Sequence, residues 1–558
     1  MIERDATTAF ANSLVDEWIR NGVTHAVVSP GSRSTPLALA LAARDEIHLD
    51  VVLDERSAAF LALGVGKATG RPAVVLCTSG SAAAHLFPAV IEADHGDVPL
   101  LVCTADRPPE LRDSGAGQTI EQSHLYGGSV RWFCDPGPPE DRPDAGPFWR
   151  TVAARSVAAT ISGRAGPVHL NLPFREPLVP TGAPLVDAPG RGGGEPWTSS
   201  APSGLPVTAT ELPAGARGLI VAGWGAARAM ASPRDRTWPV LADPLSGLRC
   251  GPLAISAYEA LLRAPGFAEA HQPDLVLRVG APVTSKLVNQ WLDPAVEQVL
   301  VDPGGRWMDP LHAATRRVAG AVAITFTGDV DPVWRDSWLD AEKRARGAID
   351  ATLDGFDSPF DGRVARDVAA ALPDGATLFV ASSMPVRELE YCMAARTDLR
   401  VLANRGANGI DGTISTVLGL ATARDAGGPP VVGILGDLAF LHDTNGLLGA
   451  ARRDIDATLV LLDNDGGGVF SFLPQAGALD PSRFETLFGT PQGVDLEALC
   501  ALHDIDVTRV TDADALVPAL HDSIAGGGVR VLLVKTDRAE NVERHQALWA
   551  AVAAALQV

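Results

Sequence analysis

The sequence predicts an α/β protein made of three consecutive α/β domains with mostly parallel sheets. Two observations predict this fold class. Short apolar runs of strand length alternate with helical stretches in three successive segments, which is the pattern of parallel βαβ units. A stretch rich in glycine, proline and serine separates the first segment from the second, as expected of a linker. With 558 residues, 46% of them hydrophobic, the chain is long enough to bury several cores.

The elements follow in chain order. Segment one spans residues 1–183 and contains strand candidates at 73–76 and 100–102, and the linker spans 184–206. Segment two spans 207–345, with strands beginning at Gly218 and running over 275–279 and 299–301. Segment three spans 346–558, and a charged helical stretch from Trp338 to Leu353 leads into it. Its strands are predicted at 431–435 and 459–462, joined by a crossover helix over 441–453.

Composition and charge exclude several classes of protein. The net charge of −21 disfavours nucleic acid and anionic membrane surfaces as partners, because the field of the whole molecule repels both. The six cysteines lie far apart without a Cys-x-x-Cys pair, which argues against a zinc site and fits a reducing cytoplasm. We see no apolar stretch typical of a signal peptide or a transmembrane helix, and therefore expect a cytoplasmic protein.

Two neighbouring strands of segment three end in oxygen-bearing side chains. Asp437 follows the strand at 431–435, and Asn464 follows the strand at 459–462. Because the carboxyl ends of parallel strands meet at one edge of a sheet, we expect these side chains to lie close together. Each motif alone more often marks a turn, but their conjunction with the glycines at 466–468 favours a site. A carboxylate, a carboxamide and a backbone carbonyl suit Mg²⁺ holding a diphosphate.

The Gly436-Asp437 pair, followed at this interval by Asn464, resembles the signature of the pyruvate-oxidase-like family of thiamine diphosphate enzymes. The three domains of that family bind the pyrimidine, bridge, and bind the diphosphate, in this order. The resemblance implies a thiamine diphosphate-binding fold, with Asp437, Asn464 and the carbonyl of Gly466 as ligands of Mg²⁺ or Mn²⁺. The sequence departs from the family at Leu438 and Asp463, where a glycine and an asparagine are usual.

A second family-like motif lies in segment one, at residues 53–60. Its resemblance implies that Glu55 contacts N1′ of the aminopyrimidine. An arbitrary glutamate here would more often be a solvated helix cap, but the family-like turn at 78–82 favours the functional interpretation. A carboxylate that shares a proton with a ring nitrogen must be partly desolvated, so we expect Glu55 in a buried interface. In the family that interface lies between subunits, which implies a homodimer or homotetramer.

Further stretches at 28–36, 104–111, 404–412 and 466–474 resemble the branch of this family that serves menaquinone (vitamin K2) biosynthesis. That branch implies a transferase that decarboxylates 2-oxoglutarate and adds the succinyl unit to isochorismate in a 1,4 sense. Both substrates carry carboxylates, which arginine binds bidentately. By this resemblance, the catalytic and substrate-binding residues are Glu55, Arg33, Arg107, Gln118, Lys286, Arg387 and Arg405.

The resemblance also implies a set of cofactor-binding residues. Ile410 corresponds to the apolar residue that supports the bent cofactor, and Val469 and Phe470 to an apolar wall. The complete set is Glu55, Ser383, Met384, Ile410, Gly436, Asp437, Leu438, Asn464, Gly466, Val469 and Phe470.

Two alternatives stay open. One is another thiamine diphosphate-dependent 2-oxoacid lyase or synthase, which would need a small pocket and no arginine cluster. The other is a catalytically silent thiamine-fold protein that binds an anionic metabolite. The presence of Glu55 together with Asp437 and Asn464 disfavours the silent protein, which has no use for the proton-relay carboxylate.

Overall fold

The computed structural model of the protein describes residues 5–180, 189–200, 204–232 and 237–557. The chain divides into two compact units. One comprises Met1–Ser203, Asn404–Ala426 and His442–Ile455, and the other comprises Gly204–Ala403, Gly427–Leu441 and Asp456–Val558. Among the described residues, no helix has both the length and the apolar character needed to cross a membrane.

In the described part of the chain, the strands form three six-stranded parallel sheets and one two-stranded sheet. The first sheet, in the order β2-β1-β3-β4-β6-β5, consists of β1 (His25–Val28), β2 (His48–Val51), β3 (Ala73–Cys77), β4 (Leu100–Asp106), β5 (Trp132–Cys134) and β6 (Pro167–Pro173). The small sheet pairs β7 (Val207–Pro213) with β14 (Ala321–Thr327). The middle sheet, in the order β10-β9-β8-β11-β12-β13, consists of β8 (Gly218–Ala222), β9 (Val240–Ala242), β10 (Ala254–Ile255), β11 (Leu275–Val279), β12 (Glu297–Asp302) and β13 (Arg316–Ala319). The third, in the order β16-β15-β17-β18-β20-β19, consists of β15 (Thr377–Val380), β16 (Arg400–Leu402), β17 (Val431–Gly436), β18 (Ala457–Asp463), β19 (Asp506–Val510) and β20 (Val529–Lys535).

The helices lie between these strands along the chain. Before the middle sheet come α1 (Ala6–Arg20), α2 (Thr35–Ala42), α3 (Glu55–Thr69), α4 (Ser81–His85), α5 (Phe87–His95) and α6 (Ala145–Ile161). The middle segment contains α7 (Ala226–Ala229), α8 (Tyr258–Arg263), α9 (Phe267–Ala270), α10 (Lys286–Trp291) and α11 (Pro332–Asp354). The last segment contains α12 (Asp361–Ala371), α13 (Met384–Cys392), α14 (Thr413–Thr422), α15 (Asp437–His442), α16 (Pro474–Ala478), α17 (Pro481–Phe484), α18 (Leu496–Leu502), α19 (Leu516–Gly526) and α20 (Arg538–Leu556).

Each six-stranded sheet buries long apolar strands, as a parallel sheet must when both of its faces are covered. Every residue of β3, β4 and β6 is buried. In the first unit, one face of the sheet packs under α1, α2 and α6, and the other packs under α3 and α5. The predicted fold of three α/β domains with mostly parallel sheets is confirmed, and so are the predicted strands and the helix before segment three.

Close approach of glycines fixes the packing of α14 on α3 within the first unit. A Cβ atom on Gly64 would lie 2.3 Å from the carbonyl oxygen of Thr416, and one on Gly419 would lie 2.0 Å from that of Leu61. Larger side chains would force the helices apart. The segment Asn404–Ala426, which contains α14, therefore packs on α3 of the first unit, and no local pattern in the sequence indicates this.

The crossover helix predicted over 441–453 is wrong. The chain forms α15 and then two short 3₁₀ turns, Thr444–Leu447 and Ala450–Arg452. Gly449 has φ of 71°, outside the right-handed helical region, and a Cβ on Gly446 would lie 2.6 Å from Ser415 Oγ. The contact with α14 therefore overrides the local apolar pattern, and the two glycines, which are poor helix formers, contribute to this.

The linker predicted over 184–206 lies partly outside the described residues, which omit 181–188 and 201–203. Residues 189–200 of this linker contact α1. The backbone N–H of Trp197 donates to Glu17 Oε1 at 2.5 Å, and Arg20 Nη1 donates to the carbonyl of Arg191 at 2.9 Å. Residues 189–200 thus belong structurally to the first unit.

Candidate active site

The carboxyl edge of the third sheet brings the predicted cation ligands together. β17 and β18 are parallel neighbours, with Gly436 opposite Leu462, so Asp437 and Asn464 both leave the sheet at the same edge. The carboxylate of Asp437 accepts the backbone N–H of Leu438 at Oδ1, at 2.8 Å, and that of Gly466 at Oδ2, at 2.7 Å. These bonds hold the loop after β18 against the end of β17.

Glycine is required in this loop by close packing. Gly466 has φ of 140°, and a Cβ on it would lie 2.0 Å from the carbonyl oxygen of Gly489. A Cβ on Gly467 would lie 2.3 Å from the carbonyl oxygen of Phe488, while its N–H donates to Gly489 at 2.8 Å. The segment that the loop contacts, Glu485–Gly489, is a single π-helical turn, a feature often found at functional sites. The glycines therefore let two backbones touch and fix the direction of the Gly466 carbonyl.

Arg538, the first residue of α20, contacts the same loop from just beyond the end of β20. Its Nε donates to the carbonyl of Asn464 at 3.1 Å, and its Nη2 donates to Glu485 Oε2 at 2.9 Å. The sequence analysis missed this residue because no local motif marks it. β20 is the next strand of the sheet, with Lys535 opposite Asp463, so the rule that parallel strand ends meet could have found Arg538.

The donor set at this edge fits a hard cation. Asn464 Oδ1 is buried and has no hydrogen-bond partner among the described residues. Burial raises the pKa of Asp437 to about 6; its two backbone hydrogen bonds lower it, and the charges of Asp463 and Asp465 raise it. A desolvated carboxylate and an unpaired amide oxygen beside a fixed carbonyl are the ligands that Mg²⁺ prefers.

The turn after β15 is strained where two predicted cofactor contacts lie. Ser383 has φ of 72°, a left-handed conformation that is costly for serine and is frequent at functional sites. Met384, the first residue of α13, is buried, and Arg387 donates from Nη1 to the carbonyl of Ser383. The side chain of Arg387 therefore folds back over the first turn of α13.

Ser285, the residue before Lys286, connects α10 to α13 by a hydrogen bond. Ser285 caps α10 by accepting the N–H of Val288 at 3.1 Å, and its own N–H donates to Glu390 Oε1, on α13, at 2.8 Å. Burial raises the pKa of Glu390 well above its usual range, and nearby Asp243 and Glu259 raise it further. Lys286 itself is exposed, while the turn that carries it is fixed.

In the first unit, two guanidinium groups lie near each other at the carboxyl edge of the first sheet. Arg33, after β1, is 7% exposed, and its Nη1 donates to the carbonyl of Phe174 at 2.9 Å. Arg107, after β4, donates from Nη2 to the carbonyl of Gly117 at 3.1 Å. Burial lowers the pKa of Arg33, and the charge of Arg107 lowers it further, while Glu176 and Asp106 oppose both effects.

Gln118 lies on a loop bonded to the turn after β3. It has φ of 61°; its Nε2 donates to the carbonyl of Ser79 at 3.3 Å, and Ser79 Oγ donates back to the carbonyl of Gln118 at 3.0 Å. Gln122, buried and missed by the sequence analysis, accepts the N–H of Gly80 at 2.9 Å and donates to the carbonyl of Ala105 at 3.1 Å. The loop is thereby attached to the ends of β3 and β4.

Glu55 is the first residue of α3 and is half-buried. Asp54 caps the helix: it accepts the N–H of Arg56 at 2.9 Å and a hydrogen bond from Asn445 at 2.7 Å. The pKa of the Cys77 thiol, at the end of β3, is raised by burial and further by the charge of Glu55.

The predicted residues divide between the two units. The first unit contains Arg33, Glu55, Arg107, Gln118, Arg405 and Ile410. The second contains Lys286, Ser383, Met384, Arg387, Gly436, Asp437, Leu438, Asn464, Gly466, Val469 and Phe470. Val469 and Phe470 lie in the 3₁₀ turn Gly468–Phe472, where Phe470 contacts Phe488 with ring centroids 5.3 Å apart.

Family models match three consecutive parts of the chain. Residues 8–125 match the family described as thiamine pyrophosphate enzyme, N-terminal TPP binding domain; 196–380 match the middle domain of thiamine pyrophosphate enzymes; and 387–534 match their C-terminal TPP binding domain. A protein of Mycobacterium smegmatis, provisionally described as a thiamin diphosphate-dependent enzyme, has a solved structure with a TM-score of 0.68 at 17% identity, over 95% of this chain and 99% of that one, and shares the fold.

Curated relatives give a finer assignment. The 2-succinyl-5-enolpyruvyl-6-hydroxy-3-cyclohexene-1-carboxylate synthase of Thermobifida fusca is 46% identical over 99% of this chain and 100% of its own length. The protein of that name from Chloroflexus aurantiacus is 43% identical over 99% of this chain and 97% of its own length. The predicted cofactor, thiamine diphosphate, is confirmed by the matching domains. The chain therefore belongs to the 2-succinyl-5-enolpyruvyl-6-hydroxy-3-cyclohexene-1-carboxylate synthase family of thiamine pyrophosphate enzymes.

Proposed function

We propose that this protein decarboxylates 2-oxoglutarate and adds the succinyl unit to isochorismate, forming 2-succinyl-5-enolpyruvyl-6-hydroxy-3-cyclohexene-1-carboxylate in menaquinone biosynthesis. The observation that carries the proposal is the pair Arg33 and Arg107. Arg33 is buried, and its Nε has no hydrogen-bond partner among the residues that the structure describes. In a protein with a net charge of −21, cations held this way suit anionic substrates. Full-length similarity to the synthases supports the same substrates.

Each substrate-binding residue has a proposed role that its chemistry allows. Arginine forks bind carboxylates bidentately, a lysine binds one as a point charge, and an amide can bind a hydroxyl. The residues to which we assign these contacts are Arg33, Arg107, Gln118, Lys286, Arg387 and Arg405.

We infer that residues of this sequence bind both the aminopyrimidine and the diphosphate of the cofactor. Thiamine diphosphate, when bound, supplies the carbon nucleophile that 2-oxoacid decarboxylation requires. Glu55 would hold a proton at N1′ of its aminopyrimidine, and Ile410 would support the bent cofactor. Val469 and Phe470 would exclude water from the reacting end. The remaining cofactor contacts that we propose are Ser383, Met384, Gly436 and Leu438.

The diphosphate would be bound through Mg²⁺, with Mn²⁺ as an alternative metal. We assign Asp437, Asn464 and the carbonyl of Gly466 as the protein ligands, supported by the buried amide oxygen of Asn464. The sequence-based domain limits of 1–183, 207–345 and 346–558 stay a prediction, as do a cytoplasmic location and a homodimer or homotetramer. Light scattering of the holoenzyme would measure the oligomeric state.

Product analysis tests the proposal. The protein is incubated with 2-oxoglutarate and isochorismate, with and without thiamine diphosphate and Mg²⁺, and the product is identified by mass spectrometry. We expect the adduct only with the cofactor present. Turnover of pyruvate without use of isochorismate would assign the protein to another group of 2-oxoacid lyases, and binding of an anionic metabolite without turnover would make it a silent binding protein.

Two substitutions test the assigned residues. Glu55→Gln should abolish turnover while thiamine diphosphate and Mg²⁺ still bind, because only the proton at N1′ is lost; unimpaired activity would exclude the assigned role. Arg405→Ala should reduce kcat/KM for 2-oxoglutarate by roughly 30-fold, the equivalent of a lost charged hydrogen bond of about 2 kcal/mol. An unchanged kcat/KM would exclude Arg405 from the substrate site.

A further inference from the structure

A buried carboxylate of the first unit holds the chain immediately after Arg405. Glu92 lies on α5 and is 3% exposed. Its Oε1 accepts the backbone N–H of Gly406 at 3.0 Å, and its Oε2 accepts that of Ala407 at 2.7 Å. One side chain thus fixes two consecutive peptide groups, and hydrogen bonds to an ionised acceptor are about twice as strong as neutral ones.

The backbone at Gly406 is also pressed against the end of α5. A Cβ on Gly406 would lie 2.6 Å from the backbone nitrogen of Gly96 and 2.8 Å from the carbonyl oxygen of Glu92. Only glycine permits this approach. The loop at residues 404–410, called the Arg405 loop below, is therefore fixed by two independent features. A carboxylate binds its amides, and a backbone contact leaves no room for a side chain.

The charge of Glu92 is balanced by a buried lysine. Lys67 Nζ, on α3, lies 3.5 Å from Glu92 Oε1, and the two side chains are 6% and 4% exposed. A buried carboxylate is costly unless it is paired and hydrogen-bonded, and here a lysine and two amides meet that requirement. This buried pair therefore lies against the two peptide groups that follow Arg405.

We propose that Glu92 is a positioning residue for Arg405: by holding the Gly406 and Ala407 amides, it sets the direction in which the Arg405 guanidinium meets a substrate carboxylate. The inference rests on the proposed function, in which Arg405 binds a carboxylate of 2-oxoglutarate. Misplacing a binding group by about 1 Å is enough to cost a large part of its contribution.

The main test is Glu92→Gln, which keeps the shape but replaces one carboxylate oxygen with an NH₂ group. In one orientation this group faces the Gly406 N–H and Lys67, and in the other it faces the Ala407 N–H. We expect KM for 2-oxoglutarate to rise about tenfold with kcat changed less, and the 404–410 amides to exchange hydrogen about tenfold faster. The double variant with Arg405→Ala should have no higher KM than Arg405→Ala alone, because both changes remove one contact.

Glu17→Gln is the matched control. Glu17 is a fully buried glutamate of the same unit that accepts the Trp197 N–H and pairs with Arg150 Nη1 at 3.0 Å, away from the Arg405 loop. It should lower thermal stability without raising KM. If Glu92→Gln does not fold, Gly406→Ala serves instead, since its Cβ displaces the loop while Glu92 stays intact, and KM should again rise.

The outcomes separate the two proposals. If Arg405→Ala leaves both KM and kcat/KM unchanged, Arg405 is excluded from the substrate site, and the positioning role of Glu92 is wrong with it. If Arg405→Ala raises KM while Glu92→Gln, or Gly406→Ala in its place, alters neither KM nor amide exchange at 404–410, the positioning role is wrong and the proposed function stands. An equal rise in KM for Glu17→Gln would reduce the effect to general destabilisation and overturn the inference.

Discussion

The substitution Gly466→Ala tests the loop after β18, residues 464–468, which is proposed to bind the cation and is called the cation loop below. The added Cβ would lie 2.0 Å from the carbonyl oxygen of Gly489, well inside van der Waals contact, and the obstacle is backbone that cannot rotate away. Alanine would also have to adopt φ of 140°, which L-residues rarely do. The loop must therefore move by more than 1 Å, on the order of the overlap with an ordinary C···O contact.

The cost can be worked from these contacts. The unfavourable φ contributes about 1–3 kcal/mol. Displacing Gly489 breaks the 2.8 Å hydrogen bond that it accepts from the N–H of Gly467, which contributes about 1 kcal/mol more. We expect the free energy of unfolding to fall by about 3 kcal/mol. Since the Gly466 carbonyl is a proposed ligand, metal affinity should fall about 10- to 100-fold, the range seen when support of a ligand is lost.

The assay is Mn²⁺ binding followed by electron paramagnetic resonance at saturating thiamine diphosphate, together with urea unfolding. Gly477→Ala is the matched control, because Gly477 lies in α16, has no atom within 4 Å of a new Cβ, and has ordinary φ. It should leave Mn²⁺ affinity unchanged and stabilise the helix slightly. Wild-type Mn²⁺ affinity and stability in Gly466→Ala would refute the reasoning from close packing.

Three further predictions concern other parts of the chain. Arg538→Met should lower Mn²⁺ affinity about tenfold through loss of its bond to the cation loop, whereas Arg509→Met, which breaks a comparable arginine–glutamate pair on an exposed surface, should not; equal effects in titration would contradict this. Burial raises the pKa of Asp443 to about 6 from 3.8, so the folded state holds its proton more tightly and stability falls as pH rises from about 4 to 6. Asp443→Asn should remove roughly 3 kcal/mol of that fall in the free energy of unfolding, measured by urea unfolding at pH 4 and 7. An unchanged dependence of stability on pH would contradict the raised pKa of Asp443. Gly419→Ala should destabilise the protein by several kcal/mol (~3) because its Cβ would lie 2.0 Å from a backbone oxygen, while Gly347→Ala on α11, with open space, should not; calorimetry distinguishes them.

The strand ends of the third sheet show how far sequence reasoning reached. Asp437 and Asn464 could be placed at one sheet edge because parallel strands of consecutive βαβ units have few possible arrangements. Arg538 contacts the same loop, yet it begins the helix that follows β20, a strand distant along the chain. The strand order β18-β20-β19 puts it there, and a sequence read locally does not contain that order.

The segment from Arg405 to Arg453 shows where local patterns fail. Apolar spacing predicted one crossover helix, whereas the structure has a short helix and two 3₁₀ turns. The buried carboxylate of Asp443 accepts the N–H of Ser415 at 2.7 Å, and such a contact with a neighbouring helix outweighs a few tenths of a kcal/mol per residue of helix propensity. Propensity decides only where tertiary contacts are weak.

The sequence by itself determined the three parallel α/β domains, the strands, the family and the residue types of the cation loop, because periodicity and short motifs are local properties. Only the tertiary structure decided which groups support them. Glu92 beneath the Arg405 loop, Gln122 beneath the Gln118 loop and Arg538 behind Asn464 have no motif of their own. Their roles arise from backbone amides and carbonyls of distant segments, and such partners exist only once the chain has folded.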